Sequence, residues 1–148
     1  MKIVAVKEKV ISGMSVRTTN EREMNVKTAK IGAIVQRFDN AVSVDYKRGA
    51  RVHNVYFNYE SDASGEYTMM AGADSVESTK ERLETVTIQA GNYMVFSAEG
   101  EVPEIVYTTW SKIWDYFSNE DVSHQRAYTT DFECYKSETE IEIHIAVE

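Results

Sequence analysis

The residue best equipped for chemistry is Glu133, in the segment Asp131-Phe132-Glu133-Cys134-Tyr135. If that segment is a strand, alternation puts Phe132 and Cys134 on one face and Asp131, Glu133 and Tyr135 on the other. Two packings are open. With Phe132 and Cys134 turned onto the helices, Glu133 is an ordinary solvated carboxylate. With Glu133 and Tyr135 turned into a cleft, it is an internal anion, which costs several kcal/mol unless hydrogen bonds or a cation meet it.

The aromatic content supplies rings that could wall a cleft, without choosing between the two packings. Nine Tyr, two Trp and five Phe stand mostly in strand- or helix-like stretches, and Tyr and Trp bring a polar handle to an apolar surface. Phe38, Phe117 and Phe132 are expected in the core, whereas Trp110 and Trp114, one helical turn apart, do not both fit there. The remaining reactive residue types say less. His53, His124 and His144 lack metal-ligand spacing, and His144, between Ile143 and Ile145, is expected to face solvent or a polar edge. Cys134 reads as a small core residue with no basic partner. Glu138, Glu140 and Glu142 read as the solvated face of an edge strand. Phosphate-cradling glycine loops and nucleophile elbows are missing from the sequence; no metal and no cofactor are expected.

These side chains need a scaffold, and 148 residues suit one domain. Hydrophobic residues at 43% and charged residues at 27% are an ordinary globular balance. A net charge of −8 disfavours direct nucleic-acid binding and mildly favours cationic ligands. One cysteine excludes an internal disulfide, and the lysine-bearing start is no secretory signal. No apolar run is long enough to span a membrane, so a cytoplasmic location is expected.

Patterning predicts a strand over 2–19 broken at Ser12-Gly13, then a helix from Asn20 or Asn25 to about Asp39. Strands follow at Val52–Glu60 and Glu66–Ala73. The order then repeats: a strand over Leu83–Ala98 broken at Ala90-Gly91, a helix from Pro103 to about Asn119, and strands at Gln125–Lys136 and Glu140–Val147. Gly13 with Gly91, Phe38 with Phe117 and Tyr59 with Tyr135 suggest a duplication of halves spanning about 1–76 and 83–148. The expected fold is α+β, a tandem strand-helix-strand-strand duplication: a curved antiparallel sheet, two main helices and a central cleft.

The second half, through GNYMVFSAEGEVPEIVYTTWSKIWDYF, RAYTTDFECY and EIEIHIAV, resembles the GyrI-like effector-binding domain, the ligand sensor of many AraC- and MerR-type multidrug regulators. Gly91, Tyr93, Gly100, Trp110, Trp114, Phe132, Glu133 and Tyr135 carry the resemblance, and NVYFNYESD and GEYTMMAG extend it loosely to the first half. It implies a groove for flat aromatic or cationic small molecules, with Glu133 beneath the ligand and Trp110, Trp114, Tyr59, Phe57, Tyr67, Met69, Tyr93 and Tyr135 around it. Regulators of that family carry a helix-turn-helix, which is expected to be missing here, so DNA reading is not expected. A protein partner or a homo-oligomer fits the resemblance as well. Two rivals accompany this reading. One is a hydrolase of strained cyclopropane-bearing compounds, with Glu133 as base and Tyr67 or Tyr135 as acid; the other is a protein-interaction modulator with an exposed apolar patch and no ligand cleft.

Overall fold

The computed structural model describes residues 2–148. Strands β1 (Lys2–Val6) and β2 (Lys9–Thr18) open the chain, followed by α1 (Asn20–Glu23) and α2 (Ile31–Ala41). Then come β3 (Val42–Val44), β4 (Val52–Phe57), β5 (Tyr67–Ala73) and β6 (Val76–Thr79). The second half runs β7 (Glu84–Ile88), β8 (Gly91–Glu99), α3 (Glu104–Ser118), β9 (Thr130–Tyr135) and β10 (Glu140–Ala146).

Eight strands form one curled antiparallel sheet in the order β1-β8-β10-β9-β4-β5-β2-β7; β3 and β6 pair separately. The order reads the same from either end once β1, β2, β4 and β5 exchange with β7, β8, β9 and β10. The registers agree: β1 and β7 are the same length and 82 residues apart. At the centre β4 meets β9, and Asn54, opposite Glu133, is also its equivalent 79 residues away. This α+β duplication therefore has its pseudo-two-fold axis at the Asn54–Glu133 pair.

The registers correct two of the expected equivalences. Tyr56, not Tyr59, corresponds to Tyr135, at the same separation as Phe38 and Phe117. Lys9, not Gly13, corresponds to Gly91, because the β1–β8 and β2–β7 ladders have matching register, with Gly91 opposite Val6 and Lys9 opposite Ile88. The first strand breaks at Lys7-Glu8, and β2 runs unbroken through Gly13. Gly13 answers a different need. It faces Gly72 in the β2–β5 ladder, and a Cβ on it would lie 2.0 Å from the Ala71 carbonyl oxygen.

The expected first helix is split. Thr19 caps α1 by accepting from the Arg22 amide, and the α1 residue Glu23 reaches forward to the next helix. Its carboxylate accepts from the amides of Lys30 (2.9 Å) and Ile31 (3.0 Å), two of the donors that a helix start leaves unpaired. Strand β4 stops at Phe57 because Asn58 takes a left-handed φ of 54°, and β9 starts only at Thr130. β10 is an interior strand between β8 and β9, so its glutamates do not form an edge.

Both faces of the sheet are covered. On one, α2 packs over Met14, Tyr67, Met69 and Ala71, while α3 packs Trp110 and Ile113 over Ile141, Ile143 and Ile145; Tyr56 touches both clusters. On the other, the curl of the sheet encloses Ile11, Val55, Met70, Ile88, Tyr93, Phe132 and Cys134. Among the described residues no helix is long and apolar enough to cross a membrane.

Candidate functional site

Strand alternation along β9 decides between the two packings left open by the sequence. Phe132 and Cys134 pack in the sheet's enclosed interior, and Glu133 lies on the helix-bearing face, 1% exposed. Trp110, from the inner stripe of α3, comes down onto it. The indole Nε1–H donates to Glu133 Oε2 at 2.7 Å, and the Tyr56 hydroxyl donates to the same oxygen at 2.7 Å. The Tyr135 hydroxyl donates to Oε1 at 2.9 Å, and Asn54 Nδ2 approaches it at 3.4 Å. Each partner is electrically neutral, and among the described residues no Lys, Arg or His forms an ion pair with Glu133.

Two residues earlier on the same face, Asp131 provides the contrast. It is fully buried, yet Arg126 donates to its Oδ2 at 2.7 Å, as does the Tyr59 hydroxyl at 2.5 Å, and the Ala146 amide donates to its Oδ1 at 2.8 Å. The Arg126 guanidinium also lies 4.4 Å from the Tyr128 ring centroid, at cation–π range. One buried carboxylate of the pair thus has its cation built in. The other has none.

A row of rings joins the two acids. Successive centroids lie 6.0 Å apart for Trp114–Trp110, 5.2 Å for Trp110–Tyr56, 5.7 Å for Tyr56–Tyr67 and 6.0 Å for Tyr67–Tyr59. Trp114 is the exposed end, at 37%, and Trp110 is buried. Burial, with the negative charge of Glu133 added to it, pushes the Tyr56 and Tyr135 hydroxyls well above the ordinary phenol range. Both therefore stay protonated donors. Tyr67 is raised in the same way, by burial first and then by Glu23 and Glu133.

Of the residues expected around a ligand, Glu133, Trp110, Trp114, Tyr135, Tyr67, Met69 and Tyr59 share this face. Phe57 and Tyr93 do not. Both pack in the enclosed interior on the opposite side, where the Tyr93 hydroxyl donates to the Gln89 carbonyl. Tyr59 reaches the helix face only because the left-handed Asn58 breaks the alternation that would have placed it with Phe57. The Tyr67 hydroxyl is occupied with Asn20 Oδ1 and does not reach Glu133. Sequence reading passes over Tyr56 and Asn54; the 79-residue separation shared by Tyr56–Tyr135 and Phe38–Phe117 is the signal that marks Tyr56.

The histidine expectations also change. His144 is 9% exposed and stacks on Phe132 at 4.3 Å, while the His53 ring lies 5.8 Å from Phe132. No group of three or more His, Cys, Asp or Glu is placed to hold a metal among the described residues. Open hollows lie elsewhere. One, about 530 Å³, is bordered by Glu99, Lys136, Glu140 and Glu142; another, about 410 Å³, by Arg37, Asn40, Lys80 and Glu81. In this structure the rings are closed over Glu133.

The fold has clear relatives. An integron cassette protein from the mobile metagenome of Vibrio cholerae is 38% identical, covering 99% of this chain and 95% of its own, with a TM-score of 0.88. A Staphylococcus aureus protein described as a putative transcription regulator shares the fold at 16% identity and a TM-score of 0.66, over 99% of this chain and 97% of its own. Another structure, solved with tetraphenylphosphonium bound, shares it at 14% identity and a TM-score of 0.64, over 99% and 93%. No curated protein sequence matches. The similarity to GyrI-like effector-binding domains is thus one of fold throughout the chain. The sequence profile of integron-associated effector binding proteins matches residues 2–147, and this chain belongs to that family, Cass2.

Proposed function

We propose that this effector-binding chain takes aromatic organic cations on the helix-bearing face, with Glu133 as the counter-charge. The observation that carries the reading is a carboxylate 1% exposed, held by four neutral donors and lacking the cation that Asp131 has in Arg126. Hydrogen bonds to a charged group contribute about 1.5–3 kcal/mol each, enough to hold the anion in place. They leave its charge uncompensated, and a cation is worth most where water is excluded. The bound tetraphenylphosphonium of a fold relative is a cation of this kind.

A ligand reaches Glu133 when Trp110 gives up its hydrogen bond and swings towards Trp114, opening the row of rings from its exposed end. Tyr56, Tyr67, Tyr135 and Met69 then form the walls, where polarizable side chains adapt to varied shapes. The carboxylate loses one neutral donor and gains an ion partner. Phe57 and Tyr93, behind the sheet, take no part.

Fluorescence titration tests this directly, because Trp110 and Trp114 are the only tryptophans and both stand at the opening. Glu133→Gln preserves the shape and removes the charge. It is expected to weaken a cationic dye by about tenfold or more, equivalent to about 1.4 kcal/mol, while a neutral dye of like size changes by less than about twofold. Equal losses for the two dyes would remove Glu133 from the function.

A further inference from the structure

We infer that the site prefers cations that bear N–H groups (protonated amines, amidinium or guanidinium groups) over quaternary cations of equal charge, and that Asn54 Oδ1 makes the distinction. The inference rests on the function proposed above and narrows its ligand class. Asn54 is 4% exposed and stands directly opposite Glu133 in the β4–β9 ladder. Its Nδ2 leans towards Glu133 Oε1, while its amide oxygen is buried with no hydrogen-bond partner among the described residues. Buried acceptors are almost always paired, and leaving one unpaired is costly.

The carboxylate by itself does not discriminate, since its field attracts any cation. A carboxylate offers about four lone-pair positions, and four donors already surround this one: Tyr56, Trp110, Tyr135 and, more distantly, Asn54. The unfilled acceptor of the cluster is Asn54 Oδ1. A ligand with two N–H groups can satisfy it while replacing the Trp110 indole on Glu133. A quaternary cation has no donor, so it leaves Asn54 Oδ1 unpaired and deprives Glu133 of the indole bond without replacing it. The second acceptor, adjacent to the charge, is what turns charge recognition into N–H recognition.

The test uses a matched pair, biphenyl-4-ylmethylammonium and its N,N,N-trimethyl analogue, titrated against the full chain by tryptophan fluorescence. Wild type is expected to bind the primary ammonium at least about fivefold more tightly. Asn54→Leu, which keeps the side-chain size and removes the acceptor, is expected to lower the ratio by at least about twofold, mainly by weakening the ammonium; the preference that is left is the hydrogen bond to Glu133 that only the ammonium restores. Circular dichroism and thermal melting verify that the variant is folded; Asn54→Ala serves if it is not. A wild-type ratio below about twofold, or a ratio that neither Asn54 variant alters, overturns the inference while cation binding stands. Failure of the function itself looks different: both compounds would bind Glu133→Gln as tightly as wild type, and the inference would fall with it.

Discussion

His144 carries a polar group into an apolar interior and leaves part of it unsatisfied. Its imidazole is stacked on Phe132, and its Nδ1 is buried without a partner among the described residues. Burial pushes its pKa down to about 4, with Glu142 opposing the shift and His53 adding to it. The folded protein therefore keeps this ring neutral where the unfolded chain, with an ordinary His pKa near 6.5, takes up a proton. The sign follows: this residue's effect on stability is flat above about pH 6.5, and stability is lost as pH falls from there to about 4. Full expression of the shift is worth about 3 kcal/mol. In urea denaturation from pH 7.5 to 4, His144→Phe is expected to lose less stability than wild type by an amount of that order. Parallel curves for the two proteins would show that His144 does not titrate out of the folded state. The sequence hid this because Ile-His-Ile alternation looks identical on an edge strand and an interior one. Glu133 was legible only in part: alternation opposes it to Phe132 and Cys134, but its burial depends on the helices that cover its face, above all on Trp110 of α3. Asn54 and Tyr56 were not legible, because their pairing with Glu133 crosses 79 and 77 residues.

Among the elements, glycines separate local propensity from long-range contact. Gly13 marked an irregularity in the sequence, and a break was the local explanation. The actual cause is the neighbouring strand, whose Ala71 oxygen and Gly72 Cα leave no room for a Cβ. Gly32, early in α2, is the opposite case: a Cβ there would meet nothing within 4 Å. The two positions should therefore respond oppositely to alanine. Gly13→Ala forces β2 away from β5 and is expected to destabilise the protein by about 2 kcal/mol or more. Gly32→Ala relieves the entropic cost of glycine in a helix and is expected to stabilise it by about 0.5–1 kcal/mol. Thermal melts of the two variants beside wild type decide the point; a neutral Gly13→Ala would mean the β2–β5 approach is looser than the backbone indicates. The helices show the same division. α3 was readable to within a residue at each end because its apolar stripe and Pro103 are local signals. The start of α2 was not, because its cap is Glu23, eight residues before Ile31.

At the scale of the whole molecule, the pseudo-two-fold axis sets a constraint that neither half contains alone. Equivalent residues of the two halves meet face to face at the β4–β9 junction, so whatever stands at position 54 is pressed against its own counterpart at 133. Tyr56 and Tyr135 can remain alike, because two neutral phenols can both donate to one acid. A carboxylate cannot be repeated, since two buried like charges at hydrogen-bond range do not both ionise. The asymmetry of Asn54 against Glu133 is then a condition for folding, and Ile31 against Trp110 extends it to the helices. Asn54→Asp restores the symmetry and tests the constraint. One carboxyl of the resulting pair is held protonated, its pKa raised above the unfolded value. The sign of the linkage is opposite to that of His144: stability is retained below about pH 4 and lost as pH rises through the raised pKa. Relative to wild type, Asn54→Asp is expected to lose several kcal/mol between pH 4 and 8, the scale of burying an unpaired charge. Melting temperatures across that range provide the measurement. A difference from wild type that does not change with pH would mean that the carboxylates separate into solvent, and the junction would then be softer than a shared axis requires.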